Sequence, residues 1–444
     1  MGTEPPAPAP NVDGGLPVTT HVNRDRGILN TTVFLRSVST GTVGILIGNY
    51  LAKVGLTTTE MGVVMGAGLA GNTFNAAVAT FYGDRLGRRR LLIALAILMG
   101  VGGVLVTMEA RIAFLAAAAF IAMTNANGRE RGASLILEQS MLPSLTDAAN
   151  RTRAFAWFNM AGDIGLGVGG LLAMTPAIVQ RQVGMGEIRS YQLTLILCAC
   201  AVLITAPLTA MLSRAVEPTV IQPRLVLAPQ SRTLLTRIST LFAIDALGGG
   251  FITTAWLTYY FTKTFGVSEV EVGLLFVGAR VVNAISHIGA AWIARHIGLV
   301  NTMVVTSLPS SGLLLTVLIA PSFPVAALLF LIREGLVQMD VPTRQSYVMA
   351  CVRPEERTQV SGITHLVRLA SWAVAPVIGG WLMSFALATP FFVGAALKVI
   401  YAVLLYFACR SIRPPEEEAE PKTADAKPAD EDSQMGLAPV VLKG

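Results

Sequence analysis

Charged side chains set inside apolar stretches are the places where this sequence can do chemistry. They are Arg36, the adjacent pair Arg129 and Glu130, Asp163, Asp245, Arg280, the adjacent pair Arg333 and Glu334, and Arg368. Each is expensive to hold in a membrane, so its presence there points to function. Two kinds of chemistry follow. Guanidinium stays charged when buried and grips a carboxylate or a phosphate through parallel hydrogen bonds. Arg36, Arg129 and Arg333, with Asp245, are therefore candidates for binding a solute. The same arginines can instead pair with carboxylates, in salt bridges that break and reform as the protein moves. A carboxylate that titrates between two faces of a membrane can also carry a proton. Asp163, Asp245, Glu130 and Glu334 are the candidates.

Enzymatic chemistry is not supported. The four histidines are scattered, and no Ser-His-Asp or metal-ligand spacing stands out. The four cysteines, Cys198, Cys200, Cys351 and Cys409, match neither a disulfide framework nor a zinc site. No metal or cofactor is expected. The Gly-x-Gly runs near residue 165 follow no strand, and no phosphate-loop motif occurs, so direct ATP drive has no support.

The elements that must position these charges are apolar. Of 444 residues, 53% are hydrophobic and 14% charged, where a soluble domain has about 25% charge. A bilayer is the natural solvent for such a chain. Twelve apolar runs are long enough to span it: residues 28–52, 61–82, 91–109, 112–139, 153–176, 191–213, 236–262, 270–292, 299–319, 323–345, 359–385 and 388–409. They lack the alternation of a membrane barrel. Arginines gather on one side, at Arg85, Arg88, Arg89, Arg90, Arg151, Arg214, Arg295 and Arg357 among others. That side is read as cytoplasmic, with both termini on it. The net charge of +6 is thus a topology signal. It lacks the basic face with interleaved aromatics that nucleic-acid binding needs.

The sequence also repeats itself. Gly55, Glu60, Gly62 and Gly87 match Gly266, Glu271, Gly273 and Gly298 at an offset of 211. Gln139, Ser140, Arg151 and Thr152 match Gln345, Ser346, Arg357 and Thr358 at 206. The expected organisation is a disordered tail over 1–27, a six-helix half over 28–213, a linker over 214–235, a second half over 236–410 and an acidic disordered tail over 411–444. Parallel repeats of this kind place a solute site between the halves near the midplane.

The loop after the second run reads Gly83-Asp84-Arg85-Leu86-Gly87-Arg88-Arg89-Arg90. It resembles the G-x-x-x-D-R-x-G-R-R loop of the major facilitator superfamily, with Thr80 in place of the first glycine. Gly165, Gly169 and Gly170 in the fifth run resemble the glycine-rich motif of that superfamily's antiporters, with Leu166 in place of its proline. Pro376, Gly379 and Gly380 in the eleventh keep the proline. Such glycines also serve simply to let helices approach closely. The resemblance covers residues 28–410. Stretches such as Leu137-Glu138-Gln139 and Asp245-Ala246-Leu247-Gly248-Gly249-Gly250 are similar to bacterial efflux permeases of unassigned substrate.

The resemblance implies an all-α membrane protein, with twelve transmembrane helices in two pseudo-symmetric six-helix halves. It places spans one, four, seven and ten around one cavity, and hence Arg36, Arg129, Asp245 and Arg333 around one space. It implies that Asp84 faces the start of span eleven and that Arg88 faces Glu138, latching the cytoplasmic side. The activity expected is alternating-access transport of a small organic solute, as proton-coupled efflux by a monomer in the cell membrane. A carrier for organic anions or phosphorylated metabolites is the alternative. A non-transporting sensor is the third reading.

Overall fold

The computed structural model describes residues 18–129, 132–146, 150–217, 229–350 and 356–409. Glu130, residues 1–17 and residues 410–444 lie outside the described residues, and residues 18–27, expected as disordered tail, are instead the start of the first helix. Every apolar run folds as helix. The first half holds α1 (Val18–Lys53), α2 (Thr58–Leu86), α3 (Arg88–Leu105), α4 (Ile112–Ala122), α5 (Ala133–Met141), α6 (Arg151–Leu172), α7 (Thr175–Val183) and α8 (Glu187–Ala210). The second holds α9 (Pro229–Gly250), α10 (Thr254–Phe265), α11 (Glu269–Ile297), α12 (Leu299–Leu318), α13 (Phe323–Ala350), α14 (Arg357–Met383) and α15 (Thr389–Cys409). Among the described residues, seven helical segments are long and apolar enough to cross a membrane by themselves. Large apolar side chains such as Leu197, Ile204, Ile285, Ile319 and Phe407 face outward, as lipid contact requires.

The repeat in sequence has a local physical basis. Thr57 and Glu60 form a capping box at the start of α2. At the matching start of α11, the Ser268 N–H and hydroxyl donate to Glu271 at 2.8 and 3.0 Å. Gly87 and Gly298 both turn with positive φ, at 88° and 82°, a region that side chains other than glycine rarely adopt. Packing repeats as well. In the first half α1 lies on α6, α2 on α4 and α3 on α8; in the second α9 lies on α14, α11 on α13 and α12 on α15.

The halves meet along α2 with α14, α6 with α11 and α1 with α10. The tightest joins are at the ends away from the Arg-rich loops. A Cβ added at Gly380 would lie 2.3 Å from the Thr58 carbonyl oxygen, and one at Gly273 would lie 2.6 Å from that of Gly170. Only backbone against backbone fits there. One apolar core spans both halves on this side, built on Tyr50, Met61, Trp256, Phe261, Phe330 and Phe391. Towards the Arg-rich loops the apolar packing divides. One cluster draws mostly on the first half, with Leu366, Leu369 and Trp372 the exceptions, and the other wholly on the second. The molecule is sealed at the ends opposite the arginines.

Two runs that read as continuous spans are broken. The fourth, 112–139, becomes α4 and α5, and residues 123–129 belong to neither helix. The seventh, 236–262, becomes α9 and α10, interrupted after Gly250. Asn, Thr and Gly compete with helical hydrogen bonding in the first case, and three glycines weaken it in the second. Met123, which ends α4, is the one non-glycine residue with positive φ among the described residues.

Candidate functional site

A break inside a membrane leaves backbone groups without helical partners, and each must be satisfied. The carbonyls of 125 to 129 are all accounted for. That of Asn125 accepts from the Gly128 N–H at 3.2 Å, and that of Ala126 from the Ala255 N–H at 3.1 Å. The Asn127 carbonyl accepts from the Thr254 hydroxyl at 2.8 Å, and that of Gly128 from Arg280 at 3.1 Å. The Arg129 carbonyl accepts from the Asn125 amide at 2.6 Å. Three of these five donors belong to the opposite half. The break in the first half is thus clasped by the N-terminal turn of α10 and by α11. The backbone of α1 is pressed against both breaks. A Cβ at Gly44 would lie 2.4 Å from Gly128 Cα, and one at Gly48 would lie 2.7 Å from the Ala255 carbonyl oxygen.

Beside this clasp is a cavity of about 130 Å³. Among the described residues, six cations line it: Arg129, Arg280, Arg333, Arg344, Arg368 and Lys398. Two carboxylates, Asp245 and Glu334, line it with them. Asn72, Asn125 and Asn127 add neutral polar groups, and Phe276, Phe330 and Trp372 add apolar walls. The charges form two groups. In one, Glu334 accepts from Arg129 of the other half at 2.9 Å and from its neighbour Arg333 at 2.6 Å. In the other, Asp245 lies 2.9 Å from Arg344, 2.9 Å from Lys398 and 3.9 Å from Arg368. The Arg368 guanidinium rests 5.1 Å from the centre of the Trp372 ring, within cation–π range.

The structure brings together Arg129, Arg333, Glu334 and Asp245. It does not bring Arg36 to them. Arg36 forms a bidentate pair with Glu138, which also accepts from Thr32 at 2.9 Å. Both members of the pair are buried within the first half. This corrects two expectations at once. Arg36 does not line the cavity, and Glu138 does not face Arg88. Arg88 instead bonds Asp84, one turn earlier on the chain, at 2.8 Å, and the Ser140 carbonyl at 2.7 Å. The Glu138 carboxylate is buried against α1, where Arg36 and Thr32 donate to it, and Arg88 of α3 reaches only the Ser140 carbonyl two residues further along α5. Asp84 is exposed, and Arg88 is its partner among the described residues. Arg85 is exposed as well. Glu217, from the region expected to be linker, accepts from the backbone N–H groups of Arg88 and Arg89 at 2.8 and 3.1 Å. It thereby caps the N-terminus of α3. Gly83 packs on Leu137.

Asp163 is exposed on α6, within electrostatic reach of Arg280. Glu130 lies outside the described residues. Gly165 and Gly169 sit where α6 crosses α1, with the carbonyls of Phe34 and Val38 within 2.5 Å of an added Cβ. Gly170 meets α11, the Pro376 carbonyl and Gly380 meet α2, and Gly379 meets Phe251 and Trp256.

Sequence reading missed Arg344 and Lys398 as cavity residues. Lys398 is a lone charge within the run 388–409, the same signal that marked Asp163. Arg344 stands near the end of its run, where a charge reads as interfacial. The asparagines carry no signal beyond polarity in an apolar context.

Two repeated helical halves with a polar cavity between them are the architecture of a solute carrier. The Major Facilitator Superfamily profile matches residues 29–242 and 238–442. An uncharacterized membrane protein of Saccharomyces cerevisiae is 24% identical over 394 residues, covering 81% of this chain and 88% of that protein. A bacterial homolog of the human lysosomal transporter Spinster, solved inward-facing and occupied, superposes with a TM-score of 0.67 at 16% identity, over 89% of this chain and 98% of its own. The nucleoside transporter NupG gives 0.66 at 14%, over 87% and 98%. The D-xylose-proton symporter gives 0.66 at 15%, over 87% and 97%. The chain belongs to the Major Facilitator Superfamily, and is a multi-pass membrane transporter by family.

Proposed function

We propose that this protein moves a small organic anion across the cell membrane by alternating access, as a monomer with both termini in the cytoplasm. One observation carries the reading. Among the described residues, the central cavity is lined by six cations against two carboxylates, and five of the six are arginines, which keep their charge when buried. A solute bearing negative charge lowers the cost of that lining; a cation raises it. The Arg129–Glu334 pair, one member from each half, is suited to act as a gate that parts when the halves rock.

The test is ligand-induced thermal stabilisation of detergent-purified protein, against organic and phosphorylated anions, lipophilic cations and neutral compounds. A ligand at 100 times its Kd adds about 2.7 kcal/mol. Stabilisation by anions, lost in Arg129→Gln or Arg333→Gln, supports the reading. Stabilisation only by cations or neutral compounds, indifferent to those changes, overturns it.

Proton-coupled efflux is the second reading. It is favoured by Asp163, an exposed carboxylate on α6 within electrostatic reach of Arg280. In proteoliposomes, a pH gradient should then drive flux, and Asp163→Asn should abolish that drive while leaving exchange intact. Flux indifferent to the gradient in the unaltered protein sinks this reading.

A further inference from the structure

We propose that the first half carries a seat for an anionic phospholipid, with the headgroup on Arg85, Arg89, Arg90 and Arg214 and an acyl chain along the outer face of α3. The inference is independent of the solute that the central cavity takes. Where α2 turns into α3, at the Arg-rich end, another cavity of about 580 Å³ opens, a size that admits a small ligand group. Among the described residues, these four arginines line it against two carboxylates, Asp84 and Glu217. Both carboxylates are already engaged. Asp84 holds a fifth arginine, Arg88, at 2.8 Å. Glu217 takes the backbone N–H groups of Arg88 and Arg89. The Arg89 guanidinium donates to the Ala210 carbonyl, a neutral partner that leaves its charge uncompensated. Arg85, Arg90 and Arg214 are exposed. The cavity therefore holds an excess of positive charge, on a group whose fork of donors suits phosphate.

The repeat shows that the turn itself does not require these cations. At the offset of 211, Arg88, Arg89 and Arg90 correspond to Leu299, Val300 and Asn301, yet Gly298 makes the same positive-φ turn as Gly87. The neighbouring surface says what the anion is attached to. Arg90, Ala94, Ile97 and Val101 are exposed along α3, and steps of four, three and four residues keep them on one face. Only the first of them is charged. From Arg90 to Val101 the face runs about 16 Å at 1.5 Å per residue, half of a hydrocarbon core about 30 Å thick. Alongside, α8 packs on α3 and exposes Leu197 and Ile204. A soluble anion uses the arginines alone, whereas a phospholipid uses the arginines and the apolar face together. By the topology proposed above, this end meets the cytoplasmic leaflet, whose surface is negative.

The experiment reads lipid retained by the full-length protein, delipidated in detergent, by native mass spectrometry. The probes are dioleoyl phosphatidylglycerol, dioleoyl phosphatidylcholine and inorganic phosphate. Phosphatidylglycerol should bind about tenfold or more tightly than phosphatidylcholine, and phosphate at equal concentration should not displace it. Arg85→Gln, Arg90→Gln and Arg214→Gln should each weaken it about fivefold, the usual worth of one cation beside anionic lipid. All three side chains are exposed, so the fold tolerates their loss. Arg232→Gln removes the same charge from an exposed position in the second half and should leave retention unchanged. Ile97→Asn, which spoils only the apolar face, should weaken phosphatidylglycerol as well. Equal retention of the two lipids overturns the inference. So does equal weakening by Arg232→Gln, which would mean general surface charge. Retention unchanged in the three cavity variants, or in Ile97→Asn, removes the headgroup site or the chain site and overturns it too. Displacement by phosphate would make the cavity a plain anion site. None of these readouts involves solute transport, so the outcome is separate from that of the carrier reading.

Discussion

The two halves of this molecule share their frame and differ in what they do with charge. Both begin their second span with a Thr or Ser paired to a Glu three residues on, and both turn into the third on a glycine with positive φ. Both present a glycine backbone to the other half at the sealed end. The divergence is inside. In the first half the main ion pair, Arg36 with Glu138, is closed off from the cavity. In the second half the charged groups of α9, α11, α13, α14 and α15 line it. Each half also breaks one helix, but not the equivalent one. Span four is broken and its counterpart, α13, runs unbroken; span seven is broken and its counterpart, α1, does too. A duplicated frame can thus keep its packing rules while one copy becomes a brace and the other a binding wall.

The strongest test of that contrast is Glu138→Gln. Removing one partner of a buried pair leaves the other charge uncompensated, at a cost of about 3–5 kcal/mol. Thermal unfolding should show the loss, and replacing both Arg36 and Glu138 by apolar residues should restore most of it. A mild effect of Glu138→Gln would mean that the pair is not the brace of the first half.

Next come the seals. Gly380→Ala and Gly273→Ala each push a methyl group into backbone of the opposite half, and overpacking costs about 1–3 kcal/mol. Both should shift the protein away from this closed arrangement, in the same direction. Cysteine labelling at the sealed end reads the shift. Opposite responses would show that the two seals are not equivalent.

Smaller again are the caps. Thr57→Ala and Ser268→Ala should each cost about 1 kcal/mol, and by the same amount if the duplication is faithful there. Thermal scans of the two single variants decide it.

The least is the clasp. Thr254→Val removes one of three bonds from the second half to the break in the first, and such interhelical bonds average about 0.6 kcal/mol. Hydrogen exchange in residues 124–129 should rise relative to that in α13, which is unbroken. Unchanged exchange would mean that the break is held by the first half alone.

Much of this was legible along the chain. The apolar runs, the arginine side and the repeat follow from residue types at short range. Thr57-x-x-Glu60 and Ser268-x-x-Glu271 announce helix starts, and Gly87 and Gly298 announce turns, because each of these effects acts within one turn of backbone. Asp245, Arg129, Arg333 and Glu334 were legible as charges too costly to be idle in a membrane. Their partners were not. Arg88 and Glu138 look matched by position, yet Arg36 lies nearer to Glu138 in space, and ion pairing depends on distance after folding. Lys398 joins Asp245 across 153 residues, and no local pattern encodes that. The break in span four was likewise decided by tertiary structure. Asn, Thr and Gly permit a helix to stop, but only a donor from the opposite half makes stopping affordable in a bilayer. Sequence determined which segments are helical, how they face the membrane and which side chains are dear to bury. The folded structure alone decided which of those side chains meet, because pairing is settled by the contacts between halves.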